Sequence, residues 1–316
     1  MIRPTFQEIQ DAYERISTIV HWTPVLRNRN LNRLLGKDLY FKCENFQKCG
    51  AFKFRGATNV VMNLSDEELS RGVATHSSGN HAGALAAIAE IRDIRATVVM
   101  PENASRVKVN AVREYGAEIR FCASNTLARE TCLEGVLKET GAVFVPPYND
   151  YRIIAGQATV MLEFIEQVGG LDTVVAPVGG GGLLSGTARA CAFQSPETSV
   201  IGAEPKGADD AMRSFTAKRL IPMVSPVTIA DGLLTSLGEK TFPIILSQVD
   251  GIITVKEDSI IHAMRLVWER LKIIVEPSAA VPLAAILENP QSVPGSKVGI
   301  ILSGGNVDLN HLPWKC

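Results

Sequence analysis

Closely spaced cysteine pairs are missing from this chain. Its six cysteines, Cys43, Cys49, Cys122, Cys132, Cys191 and Cys316, form no C-x-x-C pair, which removes a zinc ribbon or a dithiol redox motif as the organising element. Cys43, Cys122 and Cys191 lie in apolar runs and read as buried or free thiols of a reducing compartment, while Cys49, just before Lys53, falls near a candidate site. The five histidines, His21, His76, His81, His262 and His311, show no metal-ligand spacing. A surplus of one charge sign is absent too: 32 Lys and Arg stand against 33 Asp and Glu, a formal net charge of -1, which argues against a nucleic-acid partner. No apolar run reaches the roughly eighteen residues of a membrane span without a charge or a glycine. The opening run Met1-Ile2-Arg3-Pro4-Thr5-Phe6-Gln7-Glu8 carries no apolar signal-peptide core. A cytoplasmic protein with no membrane partner is expected, and no internal repeat, low-complexity tract or long linker interrupts it.

What is present is a composition of 46% apolar and 21% charged residues in 316, enough chain for about two domains with a large buried core. Short β-rich runs alternate with helical ones, the pattern of parallel sheets covered by helices on both faces. Between 72 and 147 the sequence predicts strand 73–76, helix 81–91, strand 96–100, helix 105–115, strand 118–122, helix 126–139 and strand 143–146. The alternation resumes with strands at 173–177, 200–204, 251–255 and 298–302. The expected architecture is α/β, two doubly wound domains, with a small domain of 72–147 inserted in a large one made of 1–71 and 148–316. Ligands of such sheets sit beyond the carboxyl ends of the strands, here in the cleft between the domains.

The run Gly50-Ala51-Phe52-Lys53-Phe54-Arg55-Gly56-Ala57 sets one lysine between two aromatics and two glycines. An apolar pocket disfavours the ammonium form and frees the amine to attack a carbonyl carbon. Taken alone, the tripeptide reads first as a surface lysine whose stem covers the phenyl rings. Three turns downstream change the balance: Ser77-Ser78-Gly79-Asn80-His81, Gly179-Gly180-Gly181-Gly182-Leu183-Leu184-Ser185-Gly186 and Ser303-Gly304-Gly305-Asn306, each after a β-rich run. At the first two a helical segment follows, so unpaired backbone N–H groups and the positive end of the helix dipole converge where an anion would sit. The tetraglycine lets the backbone wrap a phosphate closely. Leu183-Leu184-Ser185 lacks the P-loop lysine, which disfavours nucleotide hydrolysis. Glu204 lies near dinucleotide-fingerprint distance after a strand-like run, so on spacing alone that reading stays open, though it gives Lys53 no role.

Together these four segments resemble the fold-type II family of pyridoxal-phosphate enzymes, the tryptophan synthase β-like group, in the family's order from Thr23-Pro24-Val25 to Ser303-Gly304-Gly305-Asn306-Val307-Asp308. Within it, Glu204-Pro205, Ala208-Asp209-Asp210, Thr228-Ile229-Ala230-Asp231-Gly232, Val267-Trp268-Glu269-Arg270 and Glu276-Pro277 resemble the serine racemase and serine/threonine dehydratase subfamily. The resemblance implies pyridoxal 5'-phosphate bound on Lys53, which is displaced by the substrate amine and then takes the α-proton from one face. It implies Phe52 and Gly232 beside the ring, Gly179, Gly180, Gly181, Gly182 and Leu183 around the phosphate, Asn80 on the ring hydroxyl and Ser303 on the pyridine nitrogen. A serine there does not keep that nitrogen protonated, which favours expulsion of a β-leaving group over transamination.

Ser78 occupies the position where racemases carry serine and threonine dehydratases usually carry alanine, so a second acid/base group faces Lys53 across the substrate, as racemisation requires. Its bland reading is a turn serine. Ser77, Asn80 and His81 match the substrate-carboxylate nest, Thr235 stands where racemases often have serine, and Arg129 matches an arginine able to reach a second carboxylate. Ala51 departs from the usual Gly-Ser-Phe-Lys and is shared with relatives described as hydroxyaspartate dehydratases, so the missing hydroxyl is expected to alter space or polarity near the substrate. Glu204, Ala208 and Asp210 resemble a site for Mg2+, or for Ca2+ or Mn2+, whereas without the family two such acids read as solvated charges. The implied function is α-proton abstraction from small β-hydroxy amino acids, giving keto acid plus ammonia and interconverting L- and D-serine, in a homodimer with ATP as a possible effector. The alternatives are a dehydratase of L-threonine or threo-3-hydroxyaspartate without useful racemase activity, and a non-catalytic phosphate-ligand-binding protein.

Overall fold

The computed structural model describes residues 3–314, so Met1, Ile2 and Cys316 lie outside it. Its strands are β1 (Val25–Leu26), β2 (Asp38–Cys43), β3 (Val73–His76), β4 (Ala96–Pro101), β5 (Glu118–Cys122), β6 (Val143–Phe144), β7 (Thr173–Pro177), β8 (Ser199–Pro205), β9 (Gly251–Val255) and β10 (Lys297–Leu302). They form two sheets. One has six strands in the order β1-β2-β10-β7-β8-β9, the other four in the order β5-β4-β3-β6. All pairings are parallel except β1 with β2. Strands β4 and β7 are buried along their whole length, as parallel strands covered on both faces must be, which is why they read as unbroken apolar runs.

The helices are α1 (Phe6–Ile16), α2 (Arg29–Leu35), α3 (Lys53–Val61), α4 (Asp66–Arg71), α5 (Asn80–Ile91), α6 (Arg106–Glu114), α7 (Thr126–Thr140), α8 (Tyr151–Val168), α9 (Gly182–Gln194), α10 (Asp210–Ala217), α11 (Thr241–Gln248), α12 (Glu257–Leu271) and α13 (Pro277–Glu288). One core joins Phe41, Val175 and Ile300 of the six-stranded sheet to Met264, Val267, Leu283 and Ile286 of α12 and α13. On the opposite face Val174, Val200 and Ile301 meet Ile9, Met161, Phe164 and Leu184 of α1, α8 and α9. The four-stranded sheet is sandwiched likewise: Val98 and Met100 pack on Phe54, Val60, Leu85 and Val112 of α3, α5 and α6, and Val99 on Leu133 and Val136 of α7.

The four-stranded sheet is built entirely from chain between β2 and β7, so a compact unit is let into the larger one. Helix α3, which the sequence reading assigns to the large part, nevertheless buries Phe54, Ala57, Val60 and Val61 in the core of the small sheet. It also lies against α8 so closely that a Cβ on Gly156 would come within 2.7 Å of the Gly56 Cα. Lys53 therefore starts a helix wedged between the two units. The carboxyl ends of β3, β7 and β10 run straight into Ser77, Val178-Gly179 and Ser303, and these turns line one cleft.

Candidate active site

The cleft has a volume of about 1120 Å3 and is lined by Lys53 together with all three downstream turns. Phe52 N–H donates to the Ser303 carbonyl at 3.0 Å, and Ala51 forms an isolated bridge with Gly304. The loop before Lys53 is thereby laid along the turn after β10, bent by left-handed Cys49 (φ 60°) and Gly50 (φ 68°). Lys53 Nζ donates to the Pro147 carbonyl at 2.6 Å and stands 5.3 Å from the centre of the Phe52 ring. Burial pushes its pKa down to about 8, with Glu276 pulling weakly the other way. Its place as first residue of α3, at the positive end of the helix dipole, acts in the same direction as burial.

Gly181, in the left-handed region at φ +86°, caps α9. A Cβ on Gly180 would fall 2.4 Å from the Tyr148 ring, so only glycine lets this loop close against its neighbour. The backbone N–H groups from 179 to 183 have no acceptor among the described residues. Buried donors without partners are costly, and a helix start with several of them is an anion site.

In the first turn, the Ser77 hydroxyl accepts from Gly79 N–H at 3.3 Å, and Ser78 faces the cleft. Asn80 Nδ2 donates to Glu276 Oε1 at 2.7 Å while Asn306 Nδ2 donates to Asn80 Oδ1 at 3.0 Å, so the amide is held from both ends. His81 Nε2 lies 3.0 Å from the Val145 carbonyl, and burial pushes the ring down to about 3. The imidazole is neutral, with the proton on Nε2 and a partnerless Nδ1. Burial raises the Glu276 carboxyl to about 7 against the pull of Lys108, and its Oε2 has no hydrogen-bond partner. Lys108 of α6 pairs with Asp231, next to the cleft residue Gly232. Ser303 is buried, and its hydroxyl has no hydrogen-bond partner among the described residues.

A half-buried amine, a cradle of free N–H donors and an unengaged serine hydroxyl now face one cavity. The family model described as "Pyridoxal-phosphate dependent enzyme" matches residues 16–304. The chain belongs to the pyridoxal-phosphate dependent enzymes. It is 50% identical over 315 residues, all of both chains, to a beta-hydroxyaspartate dehydratase of Paracoccus denitrificans. It is 49% identical to a serine racemase of Dictyostelium discoideum, over 99% of this chain and 98% of that one. The structure of maize serine racemase superposes with a TM-score of 0.95 at 46% identity, covering 97% of this chain and 94% of the other. The α/β architecture is accordingly that of fold-type II.

The residues of this pyridoxal-phosphate dependent enzyme fit the cofactor: the partnerless N–H groups from 179 to 183 suit its phosphate, and the free Ser303 hydroxyl suits a ring nitrogen. Phe52, Lys53, Asn80, Gly179, Gly180, Gly181, Gly182, Leu183, Gly232 and Ser303 all line the cleft, as do Ser77, Ser78, His81, Arg129 and Thr235. Ala51 does not: it is buried, with its Cβ directed at Gly304. The expectation that the missing hydroxyl changes the substrate's surroundings is therefore corrected to an effect on the packing of the turn. Cys49 is likewise outside the cleft lining, its thiol pushed up to about 11 by burial. Cys43 and Cys191 are buried and Cys122 half-buried, all three free thiols.

Glu204, Ala208 and Asp210 lie apart from the cleft lining, all three buried. Glu204 accepts from Met212 N–H at 2.6 Å and Ala211 N–H at 3.3 Å, Asp210 from Leu237 N–H at 3.3 Å. Neither has an ion-pair partner among the described residues. Burial pushes Glu204 up to about 8 and Asp210 to about 6. Buried oxygens without a counter-charge are the chemistry a hard cation satisfies. No group of three or more His, Cys, Asp or Glu that could hold a metal occurs among the described residues, so such an ion would rest on two carboxylates, a carbonyl and water.

Sequence reasoning quoted Glu276 and Asn306 only as parts of motifs and missed Lys108 and Tyr148 altogether. Only the Glu-Pro step that opens α13 signals Glu276 locally. Lys108 and Asn306 are set by contacts across more than a hundred residues, and Tyr148 by its packing on the glycine loop at 180–182.

Proposed function

We propose that this chain binds pyridoxal phosphate on Lys53 and removes the α-proton of small β-hydroxy amino acids, eliminating water to give keto acid plus ammonia and interconverting L- and D-serine. The observation that carries the reading is the Lys53 amine: half-buried at the cleft wall, hydrogen-bonded to the Pro147 carbonyl and depressed to about 8, so that about a tenth of it is unprotonated at pH 7, far more than of an ordinary lysine. The N–H groups of 179–183 hold the phosphate, Phe52 and Gly232 flank the ring, and the Asn80 amide meets the ring hydroxyl. The cofactor, when bound, draws the electron pair released at the α-carbon into its ring. The Ser303 hydroxyl leaves the pyridine nitrogen unprotonated, which steers reaction toward loss of the β-hydroxyl. Lys53 takes and returns the proton on one face and Ser78 on the other, while Ser77, Asn80, His81 and Thr235 hold the substrate carboxylate.

A second reading, a dehydratase of threo-3-hydroxyaspartate without useful racemase activity, is favoured by Arg129 and His76 in the cleft wall and by the beta-hydroxyaspartate dehydratase relative. In it Arg129 binds the second carboxylate. Glu204, the Ala208 carbonyl and Asp210 hold Mg2+, or Ca2+ or Mn2+. The enzyme works as a cytoplasmic homodimer, with no helix of the described residues long and apolar enough to cross a membrane, and ATP is an effector to be assayed.

Borohydride reduction followed by peptide mass analysis tests the reading at its root: the cofactor mass is expected on Lys53, and an unlabelled Lys53 overturns it. Chiral analysis after incubation with L-serine, L-threonine and threo-3-hydroxyaspartate separates the substrates. Keto acid without D-serine would remove the racemase activity.

A further inference from the structure

Behind the cleft, four charged side chains are sealed in the core. Arg55 and Lys42 have side chains at 0% exposure, Glu44 at 0% and Glu163 at 3%. Arg55 Nε and Nη2 donate to the two oxygens of Glu44 at 2.7 and 2.8 Å. Its Nη1 and Nη2 donate to the two oxygens of Glu163 at 2.6 and 2.8 Å. The fifth guanidinium proton reaches Thr159 Oγ1 at 3.3 Å. Lys42 Nζ closes the set on Glu163 Oε2 at 2.7 Å, and Thr23 donates to Glu44 Oε1 at 2.6 Å. Two cations and two anions cancel, and every guanidinium N–H has an acceptor. Such clusters contribute little net stability compared with apolar residues of the same volume, because desolvation offsets attraction. What a doubly forked guanidinium does supply is a fixed geometry.

The geometry is fixed at a telling place. Arg55 lies in the first turn of α3, two residues after Lys53, and Phe52 at the helix start supplies no side-chain cap. Upstream the chain is irregular, with two successive left-handed residues; it is tied to the turn after β10 through Gly50, Ala51 and Phe52 and to His21 through Gln47. The first turn itself is held by Phe54 in the core of the small sheet, by Gly56 N–H on Gln157 Oε1 at 3.3 Å and by the guanidinium, which reaches Glu44 just after β2 and Glu163 on α8. We propose that Arg55 is a positioning residue: with Glu44, Glu163 and Lys42 it fixes the first turn of α3 so that Lys53 Nζ is held beside the Pro147 carbonyl at the cleft wall instead of swinging into the open cleft. This rests on the reading of Lys53 as the working amine. A lysine at 55 keeps the charge and loses both forks, letting the turn relax and Nζ swing into the open cleft.

The test is competitive acetylation of the full-length, cofactor-free chain across a pH series, read by peptide mass analysis at Lys53 against exposed Lys138 on α7. In the wild type, Lys53 should titrate well below Lys138. In Arg55→Lys its midpoint should rise by about one pH unit, so that labelling at pH 8 falls about fivefold with Lys138 unchanged. Circular dichroism and a cooperative melt establish that the variant is folded. Should it fail to fold, Glu44→Gln, which removes one charge and keeps the shape, should show a smaller shift in the same direction. A folded variant with an unchanged Lys53 profile overturns the role of Arg55 alone. A wild-type Lys53 that titrates with Lys138 overturns the reading of Lys53 and this inference with it.

Discussion

At Lys53 a proton is held more loosely in the folded chain, with a pKa of about 8, than by the ordinary amine at 10.5. Folding therefore releases that proton between these values. The stability that goes with the neutral amine is fully present above 10.5 and is lost as the pH falls through 8. Relative to Lys53→Met, the cofactor-free wild type should accordingly gain stability on going from about pH 8 to about pH 10, read as the difference in urea midpoints. Ser78 is separable from Lys53 by stereochemistry. Ser78→Ala should cut conversion of L-serine to D-serine about a hundredfold while keto acid formation falls far less, measured by chiral chromatography beside keto acid release. The glycine turns and Lys53 were legible because each departs from ordinary helix or strand chemistry. Glu276 was not, since a single buried carboxyl raised to about 7 owes everything to neighbours distant in sequence. The Lys42, Glu44, Arg55 and Glu163 cluster was hidden for the same reason: isolated charges in a sequence look solvated, and only the fold pairs them.

The strands at 73–76 and 118–122 fall where the β-rich runs put them: β3, buried inside the sheet, carries its signal in contiguous apolar residues, and the edge strand β5 carries it in β-formers such as Ile119 and Phe121 though none of its residues is buried. Helix packing left less trace. The close approach of α3 and α8 depends on Gly56 and Gly156, neither of which the sequence marks as a helix contact although neither leaves space for a side chain. Gly156→Ala should destabilise the chain by about 1–3 kcal/mol by forcing the helices apart, measured by urea unfolding. Gly180→Ala acts on a loop instead: its Cβ displaces the Tyr148 ring, so cofactor affinity should fall about tenfold or more in an absorbance titration, with the melt of the cofactor-free chain little changed.

For the molecule as a whole, the sequence alternation conveyed an α/β chain of parallel strands but not that α3 packs into the core of the four-stranded sheet, since that follows from which neighbour its apolar face meets. The pair Glu204 and Asp210 gives a global test. Millimolar Mg2+ should raise the melting temperature by several degrees, as a ligand bound only by the native state does, and Asp210→Asn should abolish the increment. Lys53 stands just after the chain leaves β2 for the small sheet, and Pro147 stands where it returns toward α8. The hydrogen bond between them spans the outgoing and incoming connections, so a rotation of one unit on the other would stretch it at the very nitrogen to which the proposed function gives the chemistry.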